Sequence, residues 1–315
     1  MIDVDVLVET VDGDQVRLSN SYKRLIELWR KLGVLVVPEQ SVTESSIANR
    51  ISSLPLRHRK LWQVALKDQR KKLFPTPKLS EEVFSAYDKL VTCSPHVEVA
   101  FVEDVKALVF GIPSEFPCGY VDEGDIEICR YDCCEDSALI KKADALASSI
   151  IPSGSSIDEL WSCRFHKISQ YSRHIAVVDR YCVETMQNRR DGKSGLKTFL
   201  SKVASTGNRN SVHIYTGHTT GDRDALAQEV FDCLDDSGLF RSLYLHVLAD
   251  QDFGAISHGR YVRFDDIVIS VDTGLEIFQG DTVFRNSEFS LKYDAPERKA
   301  IEQSLRQAGK TYQVI

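Results

Sequence analysis

Three groups of residues in this chain have types and spacings suited to chemistry, and each suits phosphate or a metal ion. The first gathers around His258, Arg260 and Arg263, with Asp265 close behind. An imidazole can serve as a nucleophile or an anion contact, and a guanidinium grips phosphate bidentately. Asp179, Arg180 and Tyr181 follow an apolar run and are expected at a strand end, where α/β folds place their sites. His218 follows another such run and is expected to face the same place. A structural acid that caps the next turn is the competing reading of Asp179. His213 and His246 lie within strand-like runs and are expected to be packed or hydrogen-bonded.

The second group is basic. Between Leu56 and Lys72 seven residues are Lys or Arg, among them Arg57, Arg59, Lys60, Arg70, Lys71 and Lys72. They form either a nucleic-acid-contacting surface or the solvated face of an amphipathic helix that buries Leu61, Trp62, Val64 and Leu66. The third group is acidic. Asp5 and Glu9 end the first strand, Asp104 follows another, and Asp122, Glu123 and Asp125 cluster later. Carboxylates at strand ends hold Mg²⁺ or Mn²⁺ in metal-dependent nucleases of the PIN type. Solvated, acid-rich loops are the alternative, and otherwise no cofactor is expected.

The elements that must position these groups are legible in outline. At 315 residues the chain has room for two domains, each with its own core. Val4, Val6 and Val8 belong to a strand. A helix is expected from Ser21 through Leu32, closed by Gly33, and then an apolar strand from Val34 to Pro38. Strand, helix, strand predicts a parallel sheet. The basic segment reads as one element ended by Pro75. Val97–Val102 and Ala107–Phe110 look like strands, and Asp125–Cys129 like a half-exposed one. A helix is expected from Leu139 to Ile150. Pro152-Ser153-Gly154-Ser155-Ser156 is the best linker candidate, dividing an α/β domain at 1–152 from a second at 157–315. That second half alternates strands (174–178, 212–216, 242–248) with helices (194–203, 222–234), then gives a hairpin around Asp265-Asp266 and a closing helix from Pro296.

Composition narrows the function classes. No apolar run approaches the roughly 20 residues of a membrane-spanning helix, and the N-terminus shows no secretory pattern, so a cytoplasmic protein is expected. The net charge of −7 is uneven: residues 1–80 carry 14 basic against 9 acidic groups, residues 81–160 carry 5 against 17, and the rest 20 against 20. Such a chain is no general polyanion binder, although a local basic surface can be one. Eight cysteines are expected as reduced thiols. The Cys129-x3-Cys133-Cys134 group lacks the second ligand pair of a zinc site.

Five stretches share an order and spacing with a known family. They are Ile175-Ala176-Val177-Val178-Asp179-Arg180-Tyr181, Val212-His213-Ile214-Tyr215-Thr216, His258-Gly259-Arg260-Tyr261-Val262-Arg263, Gly274-Leu275-Glu276-Ile277-Phe278, and Phe289-Ser290-Leu291-Lys292-Tyr293. Together they resemble the phospholipase-D-like C-terminal domain of the MIT-domain-containing proteins, over about 175–315. The N-terminal half opens with strands and does not resemble the three-helix MIT module. The resemblance implies a mixed sheet flanked by helices. In the wider phospholipase D superfamily a His-x-Lys-x4-Asp motif cleaves phosphodiesters without metal, the histidine attacking phosphorus. His258-x-Arg260-x4-Asp265 keeps that spacing with arginine for lysine. An active site of that superfamily takes two such motifs, and this chain shows one, so catalysis would call for a homodimer. The leading expectation is a module that binds a phosphate-bearing ligand or a protein partner, in the manner of a bacterial antiviral defence protein. A nuclease, through His258 or through the N-terminal carboxylates, and a non-catalytic scaffold are the alternatives.

Overall fold

A computed structural model describes residues 4–8, 15–38, 51–52, 54–69, 71–74, 86–92, 97–120, 126–183, 194–218, 223–232 and 239–315. The chain divides into two compact units, Met1–Ala145 and Leu146–Ile315.

The first unit alternates strands and helices. In chain order they are β1 (Val4–Val8), α1 (Gln15–Leu32), β2 (Gly33–Pro38), α2 (Leu56–Asp68), β3 (Lys71–Phe74), α3 (Tyr87–Val91), β4 (Val99–Val102), α4 (Asp104–Val109), β5 (Cys118–Tyr120), β6 (Glu127–Arg130) and α5 (Ala138–Ala147). The sheet order is β3-β2-β1-β4-β6-β5, parallel except for the β5–β6 pair. The parallel pairing expected from the opening strand–helix–strand is present. α1 starts at Gln15, so Ser21 lies inside it and is buried rather than capping it. Gly33 follows the helix directly as the first residue of β2, and a Cβ there would come within 2.9 Å of Trp29 Cα, so glycine suits this tight exit.

Three expectations for this unit change. The basic segment is two elements, α2 and β3, not one. Residues 107–110 are not a strand: Ala107 lies in α4, because a parallel sheet needs a crossover after β4. β6 is not half-exposed but buried throughout, Glu127 included. Its carboxylate accepts from Ser137 Oγ (2.6 Å) and from the Ala138 and Leu139 amides (2.6 and 3.2 Å), which are open donors at the start of α5. An alternating pattern cannot distinguish that buried acid from a solvated one.

The second unit contains β7 (Ser148–Ile151), α6 (Ile157–Arg164), α7 (His166–Tyr171), β8 (His174–Val178), α8 (Gly195–Ala204), β9 (Ser211–His218), α9 (Arg223–Asp232), β10 (Ser242–Ala249), α10 (Asp250–Ile256), β11 (Tyr261–Phe264), β12 (Ile267–Val271), a 3-10 turn (Gly274–Phe278), β13 (Ser287–Lys292), α11 (Ala295–Ala308) and β14 (Lys310–Gln313). They build a mixed eight-stranded sheet, β14-β10-β9-β8-β11-β12-β13-β7, in which β8, β9 and β10 are parallel. The stretch 148–151 is a strand rather than the end of a helix, since β7 pairs with β13. Pro152–Ser156 also belongs to this unit: the Gly154 amide donates to Val283 O and the Val283 amide to Ser155 O. One face of the sheet packs an aromatic cluster of Trp161, Phe165, Phe199 and Phe278. The other packs Ala176, Val178, Tyr215 and Tyr261 against Ala295 and Leu305 of α11.

Candidate functional site

Three parallel strands of the second unit end at one edge, and β11, antiparallel to β8, begins there. That edge collects Asp179 and Arg180 after β8, Thr216, Gly217 and His218 at the end of β9, Asp250 after β10, and His258 and Arg260 before β11. Such an edge leaves strand-terminal polar groups unused by the sheet, which is why α/β folds bind ligands there.

Asp179 anchors the arrangement. It is 3% exposed. Its Oδ1 accepts from the Tyr181 amide at 3.0 Å and its Oδ2 from the Leu275 amide at 2.8 Å. Burial raises its pKa above the usual carboxylate range, while those two amides and Arg260 oppose the shift. Gly274 makes the approach feasible: it sits at φ +59°, and a Cβ there would lie 2.2 Å from Asp179 Oδ2. A small cavity of about 10 Å³, lined by Phe165, Asp179, Tyr261 and Phe278 among others, adjoins the carboxylate.

The cations at this edge differ in how far they are committed. Arg180 forms a two-pronged ion pair with Asp250, which holds that carboxyl below its ordinary pKa. Arg260 Nη1 donates to Thr273 O at 3.0 Å, its Nε lies 3.8 Å from Asp179 Oδ1, and Glu276 is 4.0 Å away. Its Nη2 has no partner among the described residues, and the side chain is 25% exposed. Both guanidinium groups lie against the Tyr181 ring, at 5.4 Å for Arg180 and 5.0 Å for Arg260. His258 is exposed and makes no hydrogen bond with the described residues. His218 is the last residue of β9, in register with Ala249.

The remaining candidates lie elsewhere. Asp265 sits at the opposite end of β11, at φ +50°, where its carboxylate accepts from the Arg173 and His174 amides. It therefore holds the turn and is not brought together with His258. Arg263 is buried in a bidentate pair with Glu302 and donates to Asp265 O, so it lines no anion site. Burial alone would lower its pKa, but Glu302 more than offsets this and raises it. Sequence reasoning missed Asp250, Thr273 and Gly274. Asp250 carried a signal, an acid directly after an apolar strand, as Asp179 does. Thr273 carried none, and Gly274 stood in the Gly274–Phe278 stretch behind the resemblance without being read as a site residue.

Among the N-terminal candidates, Asp104 is exposed and pairs at 3.1 Å with Arg130. Arg130 also donates to Phe116 O, Ile112 O and Pro113 O, so it ties down the loop before β5. Asp5 lies in β1, paired in register with Val34. Glu9, Asp122, Glu123, Asp125 and Arg70 lie outside the described residues. Among the described residues no cluster of three or more His, Cys, Asp or Glu suits a metal ion. The basic segment divides: Arg57 and Lys60 are exposed on α2, and Lys72 lies in β3. Arg59 donates to Leu54 O, and Lys71 turns back onto Gln69 O and Leu66 O at the end of α2. Trp62 and Ala65 form the buried face of α2, whereas Leu61 and Val64, expected near the core, are exposed.

Comparison with protein-family models gives no match, and comparison with curated proteins gives none. Among solved structures, TrmBL2, an archaeal chromatin protein described with a novel mode of DNA binding, aligns at 11% identity and a TM-score of 0.26. The alignment covers 51% of each chain, and at that score the likeness carries no argument. No described helix is long and apolar enough to cross a membrane.

Proposed function

We propose that the second unit binds a phosphate-bearing ligand, such as a nucleic acid, at the edge where β8, β9 and β10 end. The observation that carries this is Arg260: anchored by Thr273 O and faced by Asp179, it has no partner for Nη2 among the described residues and stands two positions from the exposed His258. Support for a phospholipase-D-like reading comes from the same place. Asp179, Thr216, Arg260 and Gly274, drawn from four of the five stretches behind the resemblance, lie at or against this edge. With Asp265 committed to backbone at the far end of β11, His258 and Arg260 act as anion contacts without the acid of a hydrolytic motif. Arg180 is neutralised by Asp250, so binding rests on one cation and one imidazole and is salt-sensitive.

The test is incubation of the full chain with labelled single- and double-stranded DNA and RNA, in EDTA and with Mn²⁺. Retention without cleavage is expected, weakened about tenfold in Arg260→Ala by loss of a charge-assisted contact. Cleavage in EDTA that His258→Ala abolishes would replace this reading with a metal-independent phosphodiesterase.

A second reading, a metal-dependent nuclease in the first unit, is favoured by its sheet order. β1 lies between β2 and β4 in parallel, which sets the C-terminal ends of β1 and β4 side by side, and Glu9 and Asp104 follow those strands. Cleavage only with Mg²⁺ or Mn²⁺, lost in Glu9→Gln, would support it. Neither retention nor cleavage would point to a protein partner.

A further inference from the structure

Cys118 and Cys129 stand directly opposite each other on the antiparallel strands β5 and β6. The hydrogen-bond pattern fixes the kind of pair. The Arg130 amide donates to Pro117 O, so 117 and 130 form the hydrogen-bonded pair, and 118 and 129 form the neighbouring non-bonded one. Side chains in such pairs come closest: their Cα atoms are about 4.5 Å apart, within the about 4.4–6.8 Å that disulfides span. Directly opposed residues also put their side chains on the same face of the sheet as nearest neighbours. Both cysteines are free thiols. Cys129 is wholly buried, whereas Cys118 is half-buried and open to a small oxidant.

We propose that Cys118 and Cys129 are a reversible, peroxide-driven disulfide pair. In the first step hydrogen peroxide transfers an oxygen to the Cys118 sulfur, giving a sulfenic acid and one water. In the second the Cys129 sulfur attacks that sulfenic sulfur. The S–O bond breaks, and the departing hydroxide leaves with the Cys129 proton as a second water. Peroxide is reduced and the two thiols are oxidised to one S–S bond. A dithiol reverses the reaction by exchange. Cys129 suits the resolving role because burial shields it from direct oxidation while the register sets it opposite Cys118. The Cys129 thiol donates to Cys133 O at 3.2 Å, a backbone oxygen that cannot compete for the S–S bond. The product would tie the edge strand β5 to β6, from which Arg130 holds the loop before β5.

The experiment is peptide mapping of the full chain after stoichiometric hydrogen peroxide, with free thiols alkylated before digestion. A linked Cys118–Cys129 peptide, lighter by two hydrogens and lost on dithiothreitol treatment, is expected. Hydrogen exchange at Gly119, whose register partner is Ile128, should slow about tenfold on oxidation. Cys118→Ser should leave Cys129 alkylatable after the same treatment, and the wild-type map stands even if that variant folds poorly. Overturning results are Cys118 and Cys129 both remaining free, Cys118 running on to the sulfinic acid, or Cys129 linked to Cys134 instead.

Discussion

The two ends of β11 carry similar residues and do different work. At the start, His258 and Arg260 lie at the edge where the parallel strands finish, and each keeps unused hydrogen-bonding capacity among the described residues. At the finish, Arg263 and Asp265 are committed: the arginine is locked to Glu302 and the aspartate to two backbone amides. From His258 to Asp265 is seven residues, roughly 20 Å in extended chain. A spacing that reads as one motif is therefore two sites, one open and one structural. What separates them is how much of each side chain's bonding is already satisfied.

The largest effect that tests this contrast belongs to the closed end. Arg263→Ala leaves Glu302 buried and unpaired, and should cost about 3–5 kcal/mol in urea unfolding. Loss of under about 1 kcal/mol would show that the pair is not structural.

Next comes pH, through a histidine pair that Arg263 influences. His213 Nδ1 and His246 Nε2 are 3.0 Å apart, and His246 Nδ1 is 2.8 Å from Thr311 Oγ1. Burial, followed by nearby cations that include Arg263, lowers the His213 pKa to about 4; burial and then His213 lower that of His246 to about 3. Below about pH 6.5 the unfolded chain takes up protons that the folded one refuses. Stability should thus be full above that pH and fall as the pH drops towards 4, by on the order of a few kcal/mol. Thermal unfolding across this range checks it, and a flat profile would mean that the histidines titrate normally in the fold.

Gly274→Ala tests the open end from beneath. At φ +59° and against Asp179, the added methyl should cost about 2 kcal/mol and weaken ligand retention as Arg260 shifts. The smallest stability change is expected at the exposed His258. His258→Ala should alter stability by under about 0.5 kcal/mol, yet weaken retention of labelled nucleic acid. A large loss of stability there would erase the distinction between the two ends.

Legibility followed the same divide. The strand ending at Asp179 was clear from five consecutive apolar or weakly polar residues, and the βαβ opening of the first unit from its pattern of strand, helix and strand. The helix at 104–109 was not, because Val105, Leu108 and Val109 are exposed in α4 and only Ala107 is buried there. With so little apolar face, the residues 107–110 carried no helical period. Glu127 shows the other limit. Its place in an alternating run marked it as outward-facing, but an incoming helix start supplies three donors that make its burial tolerable.

By itself the sequence determined the α/β class and the parallel pairing at the start of the first unit, since strands and helices imprint local periods on the residue pattern. Only the tertiary structure decided which candidates are open. Arg263 meets a partner 39 positions away, Arg180 one 70 positions away, and Asp179 an amide 96 positions away. Whether a buried or half-buried charge is already satisfied depends on such distant contacts, and no local period records them.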